Sequence, residues 1–227
     1  MKPEDTEPQG GGKRPQDHTG NNLTGARTLS SLQELRAAVN ECKRCPLWKA
    51  ATQGVPGEGL VPSALMLVGE GPGDSEDLRG QPFVGPAGGV LDQALHAAGL
   101  DRRSVYISNA VKHFKFESRG KRRLHIKPST GEIEACRWWL AEELRLVGPK
   151  LVMALGATAA RAILGQPVTV SQTRGVPTRL SASAHLWVTI HPSLLLRITD
   201  EAQRHKEFDR FVQELKDALA WIAKNPS

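Results

Sequence analysis

The stretch ALMLVG, residues 64–69, runs directly into EGPGD, residues 70–74. An apolar run of this length, closed by a Gly/Pro cluster, has the makeup of a strand covered on both faces. Three more runs share that pattern: SVYISNAV (104–111), KLVMALG (150–156) and HLWVTI (185–190). Between them lie helical periodicities. Val90, Leu91, Leu95 and Ala98 mark one helix over 88–98, and Ile133, Cys136, Leu140, Leu144 and Val147 mark another over 132–147. A short Ala-rich helix is predicted over 157–164. Flanking helices are predicted after Ser30 and Ser31, through Leu32, Leu35 and Val39, and over 201–223, through Phe208, Phe211, Leu215 and Leu219. Strands alternating with helices give an α/β fold, a three-layer α/β/α sandwich around a four-stranded parallel sheet. Residues 167–180, rich in β-branched side chains, are predicted to form a small hairpin.

The chain has 227 residues, 39% of them hydrophobic, enough for one domain with a substantial core. The domain is expected over 29–227. Residues 1–28, rich in Gly, Pro, Asp, Gln and Asn, are expected to form a disordered tail. No apolar run of membrane-spanning length and no secretory h-region is present, so no membrane partner and a reducing, cytoplasmic location are expected. Three cysteines, an odd number, argue against a disulfide framework in that setting. The net charge of +6 alone decides little. Its distribution says more: Lys112, Lys115, Arg119, Lys121, Arg122, Arg123 and Lys127 crowd together with Glu117 as the one opposing acid. Such a cluster is the footprint of a phosphate-binding face.

In parallel sheets ligands bind beyond the carboxyl ends of the strands. After the first strand, Gly69-Glu70-Gly71-Pro72-Gly73 forms a tight exposed loop without the third glycine of a dinucleotide fingerprint. Phe83, between two turn-forming stretches, reads either as a satellite core contact or as a platform for a flat ligand. Asn109, at the end of the second strand, has the donor and acceptor to read one planar edge, although such residues also cap turns. The fourth strand ends in His191-Pro192-Ser193. There Ser193 has a hydroxyl for a phosphate. Leu194, Leu195 and Leu196 either start a helix that joins the core, the reading slightly favoured, or wedge into a stacked duplex.

Cys42-x-x-Cys45 has the spacing that lets two thiolates reach one metal, and Cys136 can join them from afar. A fourth ligand must then be another residue type, for which His113 is the candidate. Three thiolates and an imidazole suit zinc, and equally an iron–sulfur cluster with one unusual ligand.

Taken together, GEGPG (69–73), QPFVGPAG (81–88), NAVKHFKF (109–116), KRRLH (121–125) and HPSLLLR (191–197) resemble the uracil-DNA glycosylase superfamily. They are most similar to its iron–sulfur branch, family 4, and within that to the UdgX type. The resemblance covers nearly everything after residue 30. It implies a monomer that flips uracil out of DNA, single-stranded as well as duplex, into a pocket. There Phe83 would stack on uracil, Asn109 would read its edge, and His191 would stabilise the departing uracil anion. Glu70 would orient the nucleophile at the sugar, with Gly71 beside it; members of the UdgX type carry Gln where Gly71 stands. Lys121, Arg122 and Arg123 would line the DNA. The resemblance further implies that His125 replaces water as the nucleophile and stays bonded to the abasic sugar. It implies that Cys42, Cys45, His113 and Cys136 hold a structural [4Fe-4S] cluster, with zinc the lesser alternative, in a protein of the bacterial cytosol and nucleoid. Two other readings fit the same residues. One is a turnover family 4 glycosylase in which His125 merely touches phosphate; the other is a metal-stabilised DNA-binding module without catalysis.

Overall fold

A computed structural model describes residues 28–225. The expected tail over 1–28 therefore lies, apart from Thr28, outside the described residues. The chain order is α1 (Leu32–Asn40), β1 (Glu58–Gly59), β2 (Leu65–Gly69), α2 (Asp74–Arg79), α3 (Pro86–Ala97), β3 (Tyr106–Asn109), β4 (Phe116–Arg119), β5 (Arg122–His125), α4 (Thr130–Val147), β6 (Leu151–Leu155), α5 (Ala157–Leu164), α6 (Val170–Thr173), β7 (Thr178–Arg179), β8 (His185–Thr189) and α7 (Glu201–Lys224). No helix among them is long and apolar enough to cross a membrane.

The main sheet has the order β1-β3-β2-β6-β8-β7. Its four central strands are parallel and correspond to the four apolar runs, each trimmed at its ends. The expectation of a four-stranded sheet is corrected at both edges, where β1 pairs antiparallel with β3 and β7 antiparallel with β8. Each edge strand is two residues long, too short to show a period. The predicted hairpin over 167–180 is likewise replaced by α6 and β7, and β7 pairs antiparallel with β8, beyond that range.

Strand alternation divides the core. Met66, Val68, Val152, Ala154, Leu186 and Val188 meet α1, α4 and α5 on one face. Leu65, Leu67, Leu151, Met153, Leu155 and Trp187 meet α3 and α7 on the other. The sheet order reverses between β2 and β6. The chain steps outward from β2 to β3, then returns across α4 to β6, and a ligand site is expected at such a reversal.

The basic segment is a two-stranded hairpin, not a loop: β4 and β5 pair Phe116 with His125 and Arg119 with Arg122. Gly120, at φ 59°, takes the left-handed conformation that closes the turn. The proposed phosphate face is also smaller than the sequence suggests. Lys112 is fully buried against Glu143, Lys115 pairs with Glu132, and Arg123 pairs with Asp74 and Asp77. Arg119, Lys121, Arg122 and Lys127 keep exposed positions.

Candidate functional site

A cleft of about 850 Å³ opens at the carboxyl ends of the central strands. Glu70, Gly71, Phe83, Asn109, His125, His191 and Ser193 all line it together with Lys127, so the structure joins the predicted catalytic residues with most of the predicted substrate-binding ones.

The base of the cleft depends on absent side chains. In the β2–β3 register Gly69 stands opposite Asn109. A Cβ on Gly69 would lie 2.5 Å from both Asn109 Oδ1 and the Phe83 ring. Glycine there lets the ring and the amide meet at one spot. Phe83 itself sits at φ 54°, left-handed for a bulky residue, and is only 5% exposed. Backbone strain of this kind persists where neighbours over-determine it. Glu76 is such a neighbour: its carboxylate accepts the backbone N–H groups of Gly73, Val84 and Gly85 at 3.1, 2.9 and 2.7 Å. It thereby ties the loop before α2 to the loop before α3. That α2 follows the glycine loop at once was not foreseen.

Asn109 is buried, and its Oδ1 has no hydrogen-bond partner among the described residues. A buried orphan acceptor is costly unless something supplies a donor. His191 faces the same space, its ring 5.7 Å from that of Phe83 and tilted by 31°. Burial pushes its pKa down to about 4, with Glu70 opposing and His125 and Arg197 adding to the shift. The ring is therefore neutral at pH 7. Its Nδ1 accepts the backbone N–H of Ser193 at 3.2 Å, so Nε2 carries the proton and donates. The Ser193 hydroxyl lies 2.9 Å from the same Nδ1, which makes it a partner of His191 instead of a free phosphate contact.

Glu70 accepts a short hydrogen bond from the Thr158 hydroxyl at the start of α5. Its other carboxylate oxygen, Oε1, lies 3.7 Å from His125 Nε2. Thr158 went unpredicted because an Ala-rich helix advertises only packing. His125 is brought in by the hairpin, and the hairpin is clamped. Arg123 donates to Asp74 and Asp77 at 2.6 Å each and lies over the rings of Phe114 and Phe116. Phe114 in turn stacks near His125. Arg123 thus holds the hairpin against α2 instead of reaching for DNA. A Cβ on Gly71 would lie 2.7 Å from Val111, so a larger residue at 71 would need Val111 to move.

Of the three triple-leucine residues, Leu195 is buried as the favoured reading expected. Leu194 and Leu196 are exposed at the cleft rim, in a 3-10 turn over Pro192–Arg197.

The predicted metal ligands are only partly gathered. Cys42 accepts a hydrogen bond from Trp139 Nε1 at 3.0 Å, and Cys136 accepts from the Lys112 backbone N–H at 3.3 Å. Cys136 is close enough to Cys42 and Cys45 to feel their charge, and burial raises its pKa to about 12. Burial keeps His113 below the usual histidine range, with the charge of Asp77 opposing that shift. Among the described residues no three such side chains converge tightly enough to hold a metal ion. The three-thiol neighbourhood with N–H groups aimed at sulfur is compatible with a multi-iron cluster, whose ligands sit on separate metals.

The family profile of the Uracil DNA glycosylase superfamily matches residues 56–216 of this chain. The chain is 36% identical over 188 residues to the type-4 uracil-DNA glycosylase of Thermotoga maritima, covering 82% of this chain and 92% of that protein. It is 39% identical over 133 residues to the type-4 enzyme of Pyrobaculum aerophilum, covering 59% and 64%. To that of Archaeoglobus fulgidus it is 34% identical over 151 residues, covering 65% and 72%.

Proposed function

This chain belongs to the uracil-DNA glycosylase superfamily, and from that premise we propose how its cleft breaks the bond between uracil and deoxyribose in DNA. One observation carries the reading: the orphaned Asn109 Oδ1 meets the Phe83 ring beside a neutral imidazole whose Nε2 donates. A flat ligand with an N–H between two carbonyls satisfies all three, and the edge of uracil has that pattern. Thymine has it as well, with an added methyl.

With the base flipped out of the stack, Phe83 would cover its face. Asn109 Oδ1 would accept the N3–H of uracil, and the Asn109 amide N–H would donate to one carbonyl. His191 Nε2–H would donate to the other. When the C1′–N1 bond breaks, its electron pair goes to uracil, and the His191 donor stabilises the charge that gathers on the oxygen. The sugar is left as a cation at C1′, opposite the Glu70 carboxylate. In the hydrolytic course Glu70 accepts a proton from water as its oxygen bonds C1′, and uracil and an abasic sugar are released.

The likeness to type-4 uracil-DNA glycosylases favours this hydrolytic course. A specific observation favours a second course: His125 Nε2 faces Glu70 Oε1 at 3.7 Å within the cleft. In that course a ring nitrogen of His125 bonds C1′, the other loses its proton to solvent, and the sugar remains attached. A mixture of the protein with single-stranded DNA carrying one uracil, heated in SDS and run on a denaturing gel, separates the two. Uracil released in excess of protein, with no retarded band, supports hydrolysis. A heat-stable retarded band at one uracil per chain supports capture, and His125→Ser is then expected to lose the band and turn over. Failure of wild type and variant alike to release uracil would overturn the reading as a whole.

The cofactor proposal is a [4Fe-4S] cluster on Cys42, Cys45 and Cys136, with His113 as the fourth ligand. Its support is the buried thiol neighbourhood and the family resemblance. Bound there, the cluster would tie the segment after α1 to α4, as structure and not as a redox partner. Metal analysis of the purified protein checks it. Iron with acid-labile sulfide is the expected result; zinc, or no metal in protein purified without oxygen, overturns it.

A further inference from the structure

A second, smaller cavity of about 310 Å³ opens beside the main cleft and shares Lys127, Ala157 and Thr158 with it. Its other walls include Arg161, Ser129 and Thr130. Two periodicities aim its cations. Lys127 lies two residues beyond His125 on a continuing extended segment, where Ile126 N–H still bonds Lys115 O, so Lys127 points to the same side as His125. Arg161 lies one helical turn beyond Thr158 on α5, on the face that carries the Glu70 contact.

Several other cations of the fold are already neutralised. Lys112, Lys115, Arg102, Arg123, Arg145 and Arg174 each have a carboxylate partner. Among the described residues Lys127 and Arg161 have none, and buried Arg161 Nε has no hydrogen-bond partner there either. The α4 N-terminus nearby is already capped by Ser129 and Glu132, so the two side chains carry the site and the helix end does not. Two unpaired like charges facing one concave space, with hydroxyls beside them, leave a place for an anion.

We propose that this side cavity takes a backbone phosphate of the DNA strand, adjacent to the nucleotide whose base enters the main cleft. The proposal rests on the uracil-excision reading above. It would hold the sugar in register with Glu70 and His125, because Thr158 and Arg161 belong to one helix and Lys127 to the His125 segment. Lys127 and Arg161 are positioning residues in this scheme. Neither touches the breaking bond.

The test uses the full chain and single-stranded oligonucleotides in which 2′-fluoro-2′-deoxyuridine resists cleavage. One linkage at a time on either side of the uracil is made a neutral methylphosphonate. For the wild type, neutralising one adjacent linkage is expected to weaken binding about tenfold, the loss of one charge-assisted contact. Arg161→Gln is expected to lose the same factor on the all-phosphate strand and nothing further at that linkage. Its dependence of log affinity on log salt should flatten by about 1. Lys127→Gln should single out the same linkage. If Arg161→Gln responds to every linkage as the wild type does, the subsite is wrong. If cleavable uracil DNA is excised normally in that same case, the uracil reading survives; if the wild type excises nothing, that reading fails first and independently.

Discussion

His191→Ala is expected to slow uracil excision by about 10²–10³-fold while leaving the folded chain intact, the usual cost of deleting one donor to a developing oxyanion. The side chain is held for this work before any substrate arrives. Its Nδ1 is occupied by the Ser193 N–H, which leaves Nε2–H as the donor, and burial keeps the ring neutral down to pH about 4. Two consequences follow for pH dependence. Above pH 6.5, the ordinary histidine value, His191 is neutral in folded and unfolded chains alike and contributes no slope. Between 6.5 and about 4 the unfolded chain takes up a proton that the folded chain refuses, so stability falls as the pH drops through that window. His191→Ala removes this liability and should flatten the acid side of the stability profile. The catalytic form of the ring, by contrast, survives to the bottom of the window. An acid limb in kcat/KM lying at pH 6.5, and vanishing in His191→Ala, would contradict the buried neutral imidazole. Single-turnover excision rates across pH, set beside thermal denaturation of both proteins, supply the measurement.

The sheet was legible because central runs such as LMLVG and LVMAL are short, apolar at nearly every position and closed by glycine. The edges were not, since a two-residue strand such as Thr178–Arg179 is defined by its partner and leaves no mark in its own composition. Within the site, Glu70, Asn109 and His191 were found because each stands at or just past a strand end, and Phe83 because a large aromatic lies between two turn-forming stretches. What sequence reading missed is the set of groups that hold them. Glu76 and Asp77 look like an ordinary acidic first turn, yet Glu76 gathers three backbone N–H groups and Asp77 holds Thr52 and Arg123. Lys112 looked like one more member of a basic patch. The clue to its burial stood elsewhere: Glu143 falls on the stripe of Ile133, Cys136, Leu140 and Val147, and a carboxylate on an apolar stripe needs a cation.

That buried pair sets the largest expected stability effect. Lys112 and Glu143 are both fully buried, 2.6 Å apart. Glu143 also accepts from the Ser108 hydroxyl and the Gly57 N–H, while Lys112 Nζ donates to Ser108 Oγ and to the Asn109 carbonyl. Lys112→Met keeps most of the side-chain volume but strands a carboxylate in the core. Breaking a buried pair by removing one partner costs about 3–5 kcal/mol. At roughly 2–4 °C per kcal/mol for a domain of this size, Tm should fall by roughly 6–20 °C. Glu143→Gln strands the ammonium instead and should fall in the same range, though it keeps an acceptor for Gly57. A loss much below that in both variants would mean that water reaches the pair. The effect should not stop at stability. The Lys112 ammonium grips the carbonyl of Asn109, the residue proposed to read the base, so the surviving folded fraction of Lys112→Met should bind uracil-containing DNA more weakly than its folded population predicts. Affinity corrected for the folded fraction separates the two contributions. An unchanged corrected affinity would confine the pair to holding β3 in place, whereas a loss would extend its action along β3 to Asn109 itself.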